Sequence, residues 1–97
     1  MPLGCTPQRE YRDPITRALL DLGGSGRTDH VLQRVFKQLE RSLRPIDRMR
    51  MPGGEPRWRL QARFERKNME IDGLIVRGSP KGWWELTNEG RRRGTKN

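Results

Sequence analysis

A mostly helical domain carrying one small β-hairpin is the fold this chain predicts, and three observations carry that prediction. Apolar residues recur at helical spacing in three separate stretches, each bounded by capping or breaking residues. Two short β-type runs flank the glycine-bearing turn "GSPKG" at residues 78–82. The chain has 97 residues, of which 31% are apolar, enough for one small core and not for a large buried cavity.

Residues 1–9 ("MPLGCTPQR") show no periodicity and contain two prolines, so they predict a flexible tail. Residues 10–93 form the domain, and residues 94–97 a frayed end. Asp13-Pro14 suits an N-cap followed by proline at the first helical position. Ile15, Ala18, Leu19 and Leu22 then share one face, and Gly23-Gly24 ends a first helix over about 14–22. "GGSGR" is loop chemistry. Thr28 is a second N-cap candidate, with Asp29 at the positive end of the helix dipole. Val31, Leu32, Val35, Phe36, Leu39 and Leu43 follow at three- to four-residue intervals, so a second helix over about 28–42 supplies the largest share of the core.

"RPIDRMRMPGGEP" (44–56) is a proline- and glycine-bearing loop, and a third helix runs from near Arg57 to Gly73. Leu74-Ile75-Val76 and Trp83-Trp84-Glu85-Leu86 make the two strands of the hairpin. Thr87 caps a last short helical turn. Three small helices followed by a hairpin outline a winged helix-turn-helix, with the third helix as reader and the hairpin turn as wing.

Charge points to an anionic partner. The chain carries 21 basic and 12 acidic residues, a formal net charge of +9. Only four of the basic residues are lysine, and 17 are arginine, whose planar fork suits phosphates and guanine edges. Residues 1–43 hold a net charge of +2 and residues 44–97 a net charge of +7, which focuses the field on one half.

The third helix holds much of that half. Projected at roughly 100° per residue from Trp58, Arg66, Arg59, Arg63 and Lys67 fall between about 80° and 180° as one continuous arc. Glu65, Asp72, Gln61 and Asn68 fall between about 280° and 340°. Two apolar stripes flank the basic arc, Trp58, Ala62 and Met69 on one side and Leu60, Phe64 and Ile71 on the other. The pattern requires one stripe to pack on the first two helices and leaves open which. Trp58 and Phe64 are assigned to the core rather than to base stacking, as is one of Trp83 and Trp84, because consecutive strand residues face opposite ways. Arg77 and Lys81 lie before and within the wing turn, within reach of phosphates.

Other chemistries find little support. The single cysteine, Cys5, excludes an internal disulfide, and one cysteine with one histidine, His30, is no zinc site. "GGSG" at 23–26 lacks the Gly-Lys-Ser/Thr of a phosphate loop. Asp47, Glu65 and Lys67 faintly echo a nuclease pattern, but Asp47 sits in a loop and Glu65 and Lys67 point about 160° apart. The expectation is no enzyme, no cofactor, no metal and no small-molecule substrate. Without a long apolar run, no membrane association and a cytoplasmic location are expected.

The segments "YRDPITRALLDLGGSGRTDHVLQRVFKQL", "PGGEPRWRLQARFERKNMEIDGLI" and "GWWELTNEGR" together resemble the N-terminal domain of Mrr-type restriction endonucleases. The resemblance covers about residues 11–92 and is most specific at Pro14-Ile15, Gly23–Arg27, Glu55–Trp58 and Gly73–Ile75. It implies a DNA-binding winged helix. Glu65 stands where that pattern has a small apolar residue, and Leu60 where it has a polar one. The family's nuclease lies in a second domain for which these residues leave no room, so DNA binding rather than cleavage is implied.

The expected partner is double-stranded DNA, with a homodimer as the route to two half-sites. The candidate contacts are Arg57, Arg59, Arg63, Arg66, Lys67, Arg77 and Lys81. Arg63 sits mid-arc and suits a bidentate guanine contact, while Arg57, Lys67, Arg77 and Lys81 suit phosphates. The expected role is a transcription regulator or a restriction or defence accessory factor. The rival is a protein-interaction module using Leu60, Phe64 and Ile71, with only non-specific DNA affinity.

Overall fold

Where apolar residues recur every three to four positions, the chain is helical, and glycines follow the first and the third of those runs. The computed structural model describes residues 4–95. A 3-10 turn (Gln8–Tyr11) leads into α1 (Arg12–Asp21), followed by β1 (Ser25–Arg27), α2 (Thr28–Leu39), α3 (Pro45–Arg48), α4 (Arg57–Ile71), β2 (Trp83–Glu85) and α5 (Asn88–Thr95). The protein is thus mostly helical with one two-stranded antiparallel sheet.

Helix boundaries differ from the sequence reading in small ways. α1 begins at Arg12, so Asp13 and Pro14 lie inside its first turn, and no side chain caps it. A proline is tolerated there because first-turn N–H groups have no intrahelical acceptor. Thr28 is the first residue of α2 rather than its cap, and its N–H donates to the Gly82 carbonyl at 2.9 Å. The 44–56 connection is not all loop, since Pro45–Arg48 forms the short α3. Thr87 does cap α5, accepting the Gly90 N–H at 3.0 Å.

The hairpin needs the larger correction. β2 pairs chiefly with β1, in the register Ser25↔Glu85, Gly26↔Trp84 and Arg27↔Trp83. Residues 74–76 add the isolated bridge Ile75↔Leu86 and two backbone bonds, from Val76 N–H to the Glu85 carbonyl at 2.9 Å and from Thr87 N–H to the Leu74 carbonyl at 3.0 Å, but form no strand of their own. "GSGR" carries no apolar pattern, yet a ladder is made of backbone groups that every non-proline residue has. Gly23 and Gly24, at φ +88° and +106°, turn the chain out of α1 so that those groups meet β2.

One core joins these elements. Tyr11, Ile15, Ala18 and Leu19 pack with Val31, Leu32 and Val35 of α2, Trp58, Ala62 and Met69 of α4, and Leu74, Ile75, Trp84 and Leu86. The buried stripe of α4 is therefore the Trp58 one. Phe64 is 52% exposed and Ile71 62% exposed, so the assignment of Phe64 to the core is overturned. The stripe that packs is the one lying next to Glu65, and Glu65 is itself fully buried while Asn68 is exposed. Its carboxylate accepts from Arg12 Nε at 2.6 Å and Gln8 Nε2 at 3.1 Å, while Arg12 also reaches Asp72 at 2.9 Å. Burial disfavours the Arg12 cation, but Glu65 and Asp72 outweigh it and hold its pKa above the ordinary value.

Residues 4–9 are anchored rather than loose, and residues 1–3 lie outside the described residues. Thr6 is buried and donates through both its N–H (2.8 Å) and its hydroxyl (2.7 Å) to Asp47, which also accepts the Arg44 N–H at 2.8 Å. Gly94 and Thr95 belong to α5, while residues 96–97 lie outside the described residues. Burial pushes the Asp47 carboxyl up, but the hydrogen bonds from Arg44 and Thr6 outweigh it and hold its pKa below the ordinary value near 3.8. A carboxylate lowered in the folded state stabilises fully above its unfolded pKa and loses that contribution as pH falls through the folded one. Denaturant unfolding between about pH 5 and pH 2 should therefore show Asp47→Asn losing less stability with acid than the wild type. Equal acid losses in the two would contradict the carboxylate's role.

Candidate nucleic-acid interface

The basic arc of α4 faces the turn that precedes β2. The Thr28-to-Gly82 hydrogen bond ties that turn to the start of α2, and Gly78 and Gly82, at φ +76° and +78°, shape it. As a result Arg59, Arg63 and Arg66 of α4 and Lys81 of the turn line one open concavity of about 420 Å³ with Thr28, Asp29, Gly82 and Trp84. Arg66 places its guanidinium 5.5 Å from the centroid of the Trp84 ring, whose residue is 5% exposed, so the arc rests on the core.

The three arginines are already engaged with carboxylates. Arg59 Nη2 lies 2.9 Å from Asp29, and Arg59 Nε and Arg63 Nη1 both lie 3.3 Å from the same Glu55 oxygen. Arg66 Nη1 lies 3.1 Å from Glu70. Such partly exposed pairs are worth about 0–1 kcal/mol each, so a polyanion can displace them. They hold the forks in place meanwhile. The chain leading into α4 sets the bridging oxygen: Met51 N–H donates to the Glu55 carbonyl at 2.8 Å, and Arg50 bridges Pro56.

The remaining candidates lie outside this concavity. Lys67 and Arg77 are exposed, and Arg57 is half-buried at the start of α4 with its Nε buried and without a hydrogen-bond acceptor. The concavity adds Thr28, Asp29 and Trp84, and its arginines add Glu55, none of which the sequence reading placed at the site. The i, i+4 spacing of Glu55 and Arg59 was the available signal for Glu55, though it spans a helix boundary. Asp47, Glu65 and Lys67 do not converge: Asp47 binds Thr6, Glu65 binds Arg12, and Lys67 faces solvent. Among the described residues no group of three or more histidine, cysteine, aspartate or glutamate side chains could hold a metal ion, and no helix is long and apolar enough to cross a membrane.

No family model, curated protein or solved structure matches this chain.

Proposed function

We propose that this protein is a winged helix-turn-helix that binds double-stranded DNA, with α4 in the major groove and the 77–82 turn as a wing on the adjacent backbone. The observation that carries the reading is the convergence of Arg59, Arg63 and Arg66 of α4 and Lys81 of the following turn on one open concavity. Arginine forks on one helix face match groove edges, and a lysine on a neighbouring turn matches phosphate. A strand between the first two helices that pairs with the strand after the wing suits this architecture. The likeness of the sequence to Mrr-type N-terminal domains points the same way. The role is that of a regulator or of an accessory factor in restriction, acting without catalysis, cofactor or membrane, and in the cytoplasm.

Arg63 is the base-reading residue, because it lies mid-arc and its side chain is 50% exposed. After duplexes are selected from a random pool, Arg63→Ala is expected to cost about 1–3 kcal/mol on the selected site and to relax preference at one position. Lys81→Ala should weaken all sequences alike and reduce the salt slope by about 1. Equal losses on every sequence for both variants would contradict this division of roles.

Glu55→Gln should raise affinity for any duplex by about fivefold, because it releases two weak pairs worth together about 1 kcal/mol. Fluorescence anisotropy checks this, and unchanged affinity would show that Glu55 does not compete with DNA.

Exposed Phe64 and Ile71 favour a second reading, an interaction module in which the outer stripe of α4 meets a partner or a second copy. In that case sedimentation would show self-association that Phe64→Ser abolishes, together with weak, shallowly salt-dependent DNA binding.

A further inference from the structure

We infer that Trp83, with Arg27 and Lys81, forms a stacking site for an unpaired nucleobase at the edge of the bound duplex. The inference rests on the DNA reading above and adds a second ligand contact to it.

Alternation along β2 buries Trp84, at 5% exposed, and turns Trp83 outward, at 38%. The register sets Arg27 directly opposite Trp83, so indole and guanidinium project from the same outer face. Arg27, Pro80, Lys81, Gly82, Trp83 and Glu85 line a second open concavity of about 550 Å³. Lys81 and Gly82 also line the arginine concavity, so the two surfaces are continuous.

The charges of the two surfaces differ in state. Arg59, Arg63 and Arg66 are each paired with a carboxylate. Among the described residues, the side chains of Arg27 and Lys81 make no ion pair or hydrogen bond, and the Trp83 ring makes no aromatic or cation–π contact. An exposed aromatic ring that lines one concavity with two unpaired cations fits a base and its neighbouring phosphates. Glu85, two residue pairs further along the sheet and so on the same face, repels phosphate and bounds the site on that side.

Bases inside a duplex have both faces covered by their neighbours. The base that can lie on Trp83 is therefore an overhanging or extrahelical one, and sequence preference there is weak because every base has a π-face.

Three labelled probes test this: a blunt duplex, the same duplex with a short thymine overhang, and the same duplex with an abasic overhang. The wild type should bind the thymine overhang about 10-fold or more tighter than the other two. Trp83→Ala should abolish that preference while still binding the blunt duplex, and Trp83→Phe, which keeps a ring and guards against a folding defect in the alanine variant, should retain most of it. Equal wild-type affinity for thymine and abasic overhangs would overturn the inference, as would a Trp83→Ala variant that keeps the preference or weakens all three probes alike. Wild-type binding to the blunt duplex in any of those cases leaves the duplex reading standing. No binding to any probe overturns both.

Discussion

Raising monovalent salt from about 50 mM to about 200 mM is expected to weaken duplex binding by about 1,000-fold. Each phosphate neutralised releases condensed counterions, and the slope of log K against log salt is about −0.9 per phosphate on B-form DNA. With Arg63 assigned to a base edge, the candidate cations Arg57, Arg59, Arg66, Lys67, Arg77 and Lys81 allow a slope near −5. The carboxylates temper this value. Asp29, Glu55 and Glu70 compete for Arg59, Arg63 and Arg66, and salt screens those pairs too. Glu55→Gln should accordingly steepen the slope while it tightens binding at low salt. Anisotropy titrations on random-sequence duplex at several salt concentrations measure it. A slope no steeper than about −2 would mean that few phosphates are engaged and would favour the interaction-module reading.

Arg12→Ala is expected to destabilise the fold by about 3–5 kcal/mol, a large fraction of the total for a small domain. The Glu65 side chain is 1% exposed, and among the described residues Arg12, with its Nε at 2.6 Å, is its one charged partner. Removing the guanidinium leaves a buried carboxylate with the Gln8 amide at 3.1 Å and the Asn68 amide at 3.5 Å. Neither compensates for lost hydration. Glu65→Leu in the same chain should recover most of the loss, because removing both partners leaves no buried charge. Urea denaturation of the single and double variants reads the effect. A loss below about 1 kcal/mol for Arg12→Ala would show that Glu65 is hydrated after all. The pair matters beyond stability: it fixes α4 against α1, and hence the direction in which the arginine arc points.

Much of the architecture was legible in the residue pattern. The period of Val31, Leu32 and Val35 marked α2, and the segregation of arginines from apolar residues marked the outer face of α4. That one of Trp83 and Trp84 is buried followed from strand alternation, and the fold decided that it is Trp84. Three features were not legible. β1 has no side-chain signature and pairs with residues almost sixty positions away. Phe64 is apolar yet exposed, because the core between α1, α2 and α4 is filled by the Trp58, Ala62 and Met69 stripe. Glu65 is charged yet buried, because its partner Arg12 lies on another helix.

Local physics is contained in the amino-acid order: where the longer helices form, which of them glycines end, and that the guanidinium groups of Arg59, Arg63 and Arg66 share a side. Pairings between distant segments are not, because a hydrogen bond or ion pair depends on which groups are brought within about 3 Å, and spacing along the chain carries no such distance. The fold alone placed Lys81 beside Arg59, Arg63 and Arg66, set Glu55 between two of them, and chose Glu65 rather than Phe64 for the interior.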